Sequence, residues 1–311
     1  MNGQEITKFY DESDNGGYKV MVDLHMHSTA SDGTDTILEL LKKVRIAGIH
    51  TFSVTDHDTI EGAMAMESIV PEDMRFIRGI EFSCITEAGK CHILGYGYDK
   101  NDKTFRNILE KGREKRRNKL ERRLAFLSDE FGIQFSEEEL HRLRTMNSVG
   151  KPHLGNLLVS MGLANDKNTA IEKYINPCKT ESDRLDADEV IKAILASGGI
   201  PVWAHPYGGT GEREVSRENF QRQLRLLQKS GLLGLECYYS KYTEEQILSL
   251  LKAVNELRLL VSGGSDYHGR NKTVRLCELN NYGVTIEAEQ ITVLNELARR
   301  DAERLTVKSQ V

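Results

Sequence analysis

A chain of 311 residues with 39% hydrophobic and 29% charged content has room for one large α/β domain, or for one such domain carrying an insertion. No apolar run approaches the ~20 residues of a membrane-spanning helix, which excludes a helical membrane protein. A formal charge of −5 argues against wholesale electrostatic coating of nucleic acid and leaves a local basic patch as the way to hold an anion.

The first 19 residues, Asp11, Glu12 and Asp14 among them, read as a polar lead-in without the basic-then-apolar pattern of a secretion signal. Lys19 to Leu24 is expected as a first strand, and Thr36 to Ala47 as a helix stopped by Gly48. A second strand is expected from His50 to Val54, with a helix from about Ile60. Further strands are read at Phe76 to Phe82, His92 to Tyr98, Ile200 to Ala204, Leu233 to Cys237 and Leu259 to Ser262. The last three are each preceded by a helical segment. Strands alternating with amphipathic helices predict βα units around a parallel sheet of about seven strands.

The alternation lapses over residues 101–183, where the pattern is helical: Asp102 to Glu130, Ser136 to Arg144, Lys151 to Met161 and Asn168 to Ile175. The expected organisation is therefore a discontinuous barrel of residues 20–100 and 184–285, a helical insertion of residues 101–183, and a C-terminal helix within 286–311 packed on the barrel. Cys84, Cys91, Cys178, Cys237 and Cys277 are odd in number and show no Cys-x-x-Cys spacing, as expected of reduced thiols in a soluble cytoplasmic protein. Cys91 adjoins His92, but strand alternation points it to the opposite face.

Residues with metal-binding chemistry end nearly every expected strand. His25 and His27 sit at i and i+2, so both rings can converge from one face of a strand. Thr55-Asp56-His57-Asp58 ends the second strand, and Gly79-Ile80-Glu81 is followed eleven residues later by His92. Ala204-His205-Pro206 and Gly264-Ser265-Asp266-Tyr267-His268 complete the set, Asp266 and His268 repeating the i, i+2 geometry. The C-terminal ends of barrel strands are where active sites are normally built.

In this order, with Ser-Asp-Gly at residues 31–33 and His-x-Leu-Gly at 92–95, the motifs resemble the PHP family, the polymerase and histidinol phosphatase superfamily of metal-dependent phosphoesterases. The resemblance spans Asp23 to beyond His268. It implies a distorted (β/α)7 barrel holding three divalent metal ions, Mn²⁺ favoured, with Fe²⁺ or Zn²⁺ as alternatives. His25, His27, Glu81 and Asp266 would hold the first ion, Glu81 bridging to a second completed by His92 and His205. Asp32, His57 and His268 would hold the third. Asp32 stands where many relatives carry histidine; aspartate marks the subgroup resembling 3′,5′-nucleoside bisphosphate phosphatases. The implied reaction is hydrolysis of a phosphate monoester by a metal-bridging hydroxide, with Glu81, Asp266 and His205 at the reacting centre. A nucleoside 3′,5′-bisphosphate or a short 5′-phosphorylated oligonucleotide is the expected substrate, and no membrane or obligate protein partner is expected.

Within the insertion, Gly150-Lys151-Pro152-His153 resembles a subgroup motif that faces the substrate, helix capping being the alternative reading. The basic run from Lys111 to Lys119 reads as a solvated helix face with i, i+4 pairs, while its Arg117-Asn118 pair resembles a subgroup position whose arginine reaches the substrate phosphate. Asp58 and Tyr207 are placed beside the site by position, whereas His50 and His141 read as structural and surface residues. Histidinol phosphatase activity is disfavoured by Asp32 and the Lys151 motif. An amidohydrolase-type C–N hydrolase is disfavoured by the paired Asp266 and His268, and a non-catalytic metal-stabilised module by the full set of nine ligands.

Overall fold

The computed structural model describes residues 20–180, 183–210, 214–279 and 284–308. The polar lead-in, with Lys19, the residues 280–283 of the expected barrel and the last three residues of the expected C-terminal helix lie outside them.

Seven strands form the barrel wall: β1 (Met21–Asp23), β2 (Ile49–Val54), β3 (Arg75–Thr86), β4 (Gly89–Tyr96), β6 (Ile200–Ala204), β7 (Gly234–Tyr239) and β8 (Leu260–Gly264), with the two-residue β5 (Leu185–Asp186) attached to β3. Hydrogen bonds from Leu24 N to the Gly263 carbonyl (3.1 Å), Asp266 N to the His25 carbonyl (2.8 Å) and His27 N to the Tyr267 carbonyl (2.8 Å) join the two edge strands. That closure depends on Gly264, because a Cβ there would lie 2.4 Å from the Cβ of His25. The result is a distorted (β/α)7 barrel.

One strand departs from the expected parallel sheet. β4 pairs antiparallel with both β3 and β6, whereas the other neighbours along the wall run parallel. Only Glu87 and Ala88 separate β3 from β4, and a two-residue link makes a hairpin; a parallel crossover needs roughly a dozen residues. Reversal brings the beginning of β4 to the end of the barrel where the parallel strands finish. His92 consequently stands opposite Ser83 on β3 and Ala204 on β6.

Helices α1 (Ile37–Ile46), α2 (Glu61–Glu67), α7 (Ala187–Ala196), α8 (Arg217–Lys229) and α9 (Glu244–Leu257) cover the barrel. Thr36 caps α1 in a capping box with Glu39, and the helix buries Leu40, Leu41 and Val44. The helical stretch in mid-chain comprises α3 (Lys103–Phe131), α4 (Glu137–Thr145), α5 (Lys151–Ser160), α6 (Lys167–Ala170) and a π-helical turn over Ile171–Ile175. Its apolar residues form a second core, with Leu127, Leu143, Leu154, Leu158 and Ile175 among them. α3 spans both cores, giving Phe105 and Ile108 to the barrel and Leu120, Leu124 and Leu127 to the second cluster. α10 (Thr292–Lys308) packs Val293, Leu294 and Leu297 into the barrel core. Among the described residues no helix is long and apolar enough to cross a membrane.

Candidate functional site

Two buried carboxylates shape the loops that carry the histidines. Asp23 accepts hydrogen bonds from His25 N, Ser265 N, Ser265 Oγ and Cys277 N, which ties the end of β1 to the loop after β8. Asp56 accepts from Ser28 N, Ser28 Oγ and Ser31 Oγ and so fixes the turn after His27. The backbone adopts positive φ at Asp58 (52°), His205 (30°) and Asp266 (56°). For non-glycine residues such angles cost about 1–3 kcal/mol each, and here they fall at strand ends where side chains turn inward.

Nine side chains meet at this end of the barrel: His25, His27, Asp32, His57, Glu81, His92, His205, Asp266 and His268. Glu81 lies at the middle. Its Oε2 is 3.4 Å from His25 Nε2, 3.3 Å from His27 Nε2 and 2.9 Å from His57 Nδ1. Its Oε1 is 3.0 Å from both His92 Nδ1 and His205 Nε2. Asp266 Oδ1 stands 3.5 Å from His25 Nε2 and 3.4 Å from His27 Nε2, while its Oδ2 accepts from Tyr239 (2.8 Å) and Lys272 (2.5 Å). Asp32 Oδ1 is 3.3 Å from His268 Nε2 and 3.9 Å from His57 Nε2. Donor atoms fall into three groups, each within 4.8 Å: His25, His27 and Glu81; His57, Glu81 and His92; and His27, Asp32, His57 and His268. His57 takes part in two of them, one ring nitrogen on each side.

The donor set fits divalent cations. His25 Nε2, His27 Nε2, Asp32 Oδ1, His57 Nδ1 and Glu81 Oε2 are buried without a hydrogen-bond partner, a costly arrangement unless an ion binds them. Imidazoles and carboxylates without thiolate suit first-row divalent ions. Burial works against the charged forms of these groups, yet the rings of His57, His92 and His25 hold the Glu81 carboxyl well below its ordinary range. Asp32 is lowered in the same way, with His57 and His268 outweighing its burial. His27 is raised to about 9, since Asp266 and Glu81 outweigh the burial that opposes its charge.

Sequence reasoning missed Glu236, which lies inside β7. Its Oε1 is 2.8 Å from His25 Nδ1 and its Oε2 accepts from His205 N at 2.8 Å. Glu236 thereby fixes the His25 tautomer and aims Nε2 at the cluster. The signal was available, as a lone carboxylate in an otherwise apolar strand has to be partnered. Glu236→Gln should weaken divalent-metal affinity roughly tenfold to a hundredfold, measured by titration into metal-stripped protein. Unchanged affinity would reduce the contact to packing.

A cavity of about 490 Å³ opens above the cluster, lined by Asp32, His57, Glu81, His92, His205, Asp266 and His268 below and by residues of α3, α5 and α6 above. Of the substrate contacts expected from sequence, only Lys151 reaches it; its Nζ is 2.6 Å from Asn176 Oδ1. Arg117 does not. Its side chain is 65% exposed and pairs with Glu110, whereas Arg116 faces the cavity with Lys119 and Arg123. Helical periodicity is the reason: the buried stripe of α3 runs through Gly112, Arg116, Lys119, Leu120 and Arg123, and residue 117 is turned about 100° from 116. His153 caps instead, accepting from Gly150 N at 3.0 Å with Pro152 in the same first turn. Asp58 is buried against Arg116 Nε at 2.6 Å, off the cavity lining. Tyr207 directs its hydroxyl to Ser249 at 2.9 Å, and Thr210 lines the cavity nearby.

The PHP domain model matches residues 23–176. A 5′-3′ exoribonuclease of Haemophilus influenzae is 30% identical over 79% of this chain and 89% of its own. A phosphoribosyl 1,2-cyclic phosphate 1,2-diphosphodiesterase of Eggerthella lenta is 28% identical over 80% and 94%. A 3′,5′-nucleoside bisphosphate phosphatase of Chromobacterium violaceum is 25% identical over 79% and 87%. Among solved structures, a metal-dependent phosphoesterase candidate from Bifidobacterium adolescentis is 27% identical with a TM-score of 0.74, over 90% of this chain and 96% of that one. Neither a C–N hydrolase nor a non-catalytic module is favoured, since Asp266 and His268 both enter the cluster and all nine side chains are present. The chain belongs to the PHP family of metal-dependent phosphoesterases.

Proposed function

We propose that this phosphoesterase removes phosphate from a substrate carrying a second anionic group near the scissile one, a nucleoside 3′,5′-bisphosphate or the 5′ end of a short oligonucleotide. The observation that carries this reading is a cluster of cations on the cavity wall, the buried Arg116, Lys119 and Arg123 with the half-buried Arg184 beside them. Asp58 pairs with Arg116, but Arg123 Nε is buried without a hydrogen-bond partner. Burial, then Arg116 and Arg184, push the Lys119 ammonium well below its ordinary pKa, and burial pulls Arg123 down to about 10. Positive charge so poorly compensated invites an anion, and arginine's fork suits phosphate. The names of the Haemophilus and Chromobacterium relatives support a nucleotide as its source.

Three divalent ions are proposed, Mn²⁺ favoured: one on His25, His27, Glu81 and Asp266, one on Glu81, His92 and His205, and one on Asp32, His57 and His268. The assignment of Glu81 as the bridge is supported by the way its two oxygens divide the histidines. Bound ions would supply Lewis acidity, making hydroxide available near neutral pH and offsetting phosphoryl charge. The protein's own residues orient the substrate. Lys119 and Arg123 hold the distal anion.

The test compares phosphate release from adenosine 3′,5′-bisphosphate, histidinol phosphate, a 5′-phosphorylated oligonucleotide and p-nitrophenyl phosphate. Arg123→Ala should lower kcat/KM for the bisphosphate roughly tenfold to a hundredfold more than for p-nitrophenyl phosphate. Equal losses on both would overturn the second-anion reading.

A further inference from the structure

The metal cluster is held in two different ways at its two ends. His25 and His205 are fixed from within the barrel by Glu236, and Asp266 by Tyr239 and Lys272. Asp32 instead lies where the barrel meets the helical insertion. Its carbonyl accepts from Asn271 Nδ2 at 2.8 Å, and Asn271 belongs to the short helical turn after β8. The Asn271 carbonyl and Oδ1 accept in turn from the ammonium of Lys167, the first residue of α6, at 2.5 and 3.3 Å. On its other side the Asp32 carboxylate is pressed by Gly150, the N-cap of the ten-residue α5. A Cβ at Gly150 would lie 2.6 Å from Asp32 Oδ2 and 2.9 Å from its Cβ.

We infer that the helical insertion is a structural part of the metal site, with Gly150 and Lys167 acting as positioning residues that set Asp32 for the ion it shares with His57 and His268. Gly150 leaves only the space the carboxylate needs, and the positive end of α5 favours a carboxylate there. Lys167 holds the Asn271 turn, which holds the Asp32 backbone. Neither residue belongs to the donor groups that contain Glu81, so the two ends of the cluster should load separately. Coupling is reciprocal: an ion at the Asp32 end stabilises the docked insertion to the same extent as docking favours the ion. The inference rests on the assignment of Asp32 as a ligand.

The experiment measures metal content by elemental analysis, and affinity by titration of metal-stripped full-length protein with Mn²⁺, for wild type and the Asp32→Ala, Gly150→Ala, Lys167→Met and Lys167→Arg variants. Circular dichroism reports folding, and limited proteolysis within residues 101–183 reports docking. Asp32→Ala should lose one ion per chain. Gly150→Ala and Lys167→Met should lose the same ion, or bind it roughly tenfold to a hundredfold more weakly, while keeping the others. Lys167→Arg should restore it, and Mn²⁺ should protect the wild-type insertion from protease more than it protects Gly150→Ala. If Asp32→Ala keeps every ion, the ligand assignment itself is wrong. If Asp32→Ala loses an ion while Lys167→Met and Gly150→Ala retain wild-type affinity, the insertion does not position the site. Should Gly150→Ala fail to fold, the Lys167→Met result decides alone.

Discussion

Glu81→Gln should fold and yet lose at least about 10³-fold in turnover, about 4 kcal/mol of transition-state stabilisation. One carboxylate oxygen faces His25, His27 and His57 and the other faces His92 and His205, so the residue serves both sides of the cluster. The amide keeps the shape, removes the charge and replaces one acceptor with a donor. Metal content should fall alongside activity, and by more than on removal of His268, which enters only the donor group that contains Asp32. Steady-state kinetics with elemental analysis of the same sample checks this. Near-wild-type turnover with full metal content would show that Glu81 bridges nothing.

The second large effect is on stability. Arg116 donates to Asp58 at 2.6 Å and to Ser83 Oγ at 2.8 Å, with both charged side chains almost fully buried. Arg116→Ala strands the Asp58 carboxylate in the interior, which costs about 3–5 kcal/mol. For a chain of this size that corresponds to a fall in Tm of roughly 5–8 °C. Removing both partners together should cost less than the sum of the single changes, as coupled neighbours do. The adjacent Arg117→Ala should stay within about 0.5 kcal/mol of wild type, its partner Glu110 being as exposed as itself. Thermal denaturation of the pair fixes the register of α3, and equal destabilisation would contradict the inward placement of Arg116.

Why some of this was legible in the chain and some was not follows from the distance over which each signal acts. His25 and His27 lie two residues apart just past the end of β1, His205 and Asp266 follow the ends of β6 and β8, and Glu81 sits within β3, so local spacing reveals them. The reversal of β4 was legible too, in the two residues between Thr86 and Gly89, but reading the strands as a βα series passed over it. The resemblance points to Arg117, whereas the spacing of Ile108, Gly112, Leu120 and Leu127 along α3 favours Arg116. Glu236 needed only the question of where a charge inside an apolar strand finds its partner. Other features have no local signature. That Gly150 abuts Asp32, and Lys167 reaches Asn271, depends on how α5 and α6 dock, which is set by tertiary packing of the second core.

The five unpartnered polar atoms of the cluster also bear on how much of this protein a cell can keep. An ion that binds only the folded chain adds RT ln(1 + [L]/Kd) to its stability, about 2.7 kcal/mol at a hundredfold excess over Kd. Withdrawing the ions returns that increment and leaves the buried donors facing one another. Scarcity of metal would then act twice, silencing the molecules that remain folded and enlarging the unfolded fraction open to proteolysis, so that abundance follows ion supply without any dedicated sensor.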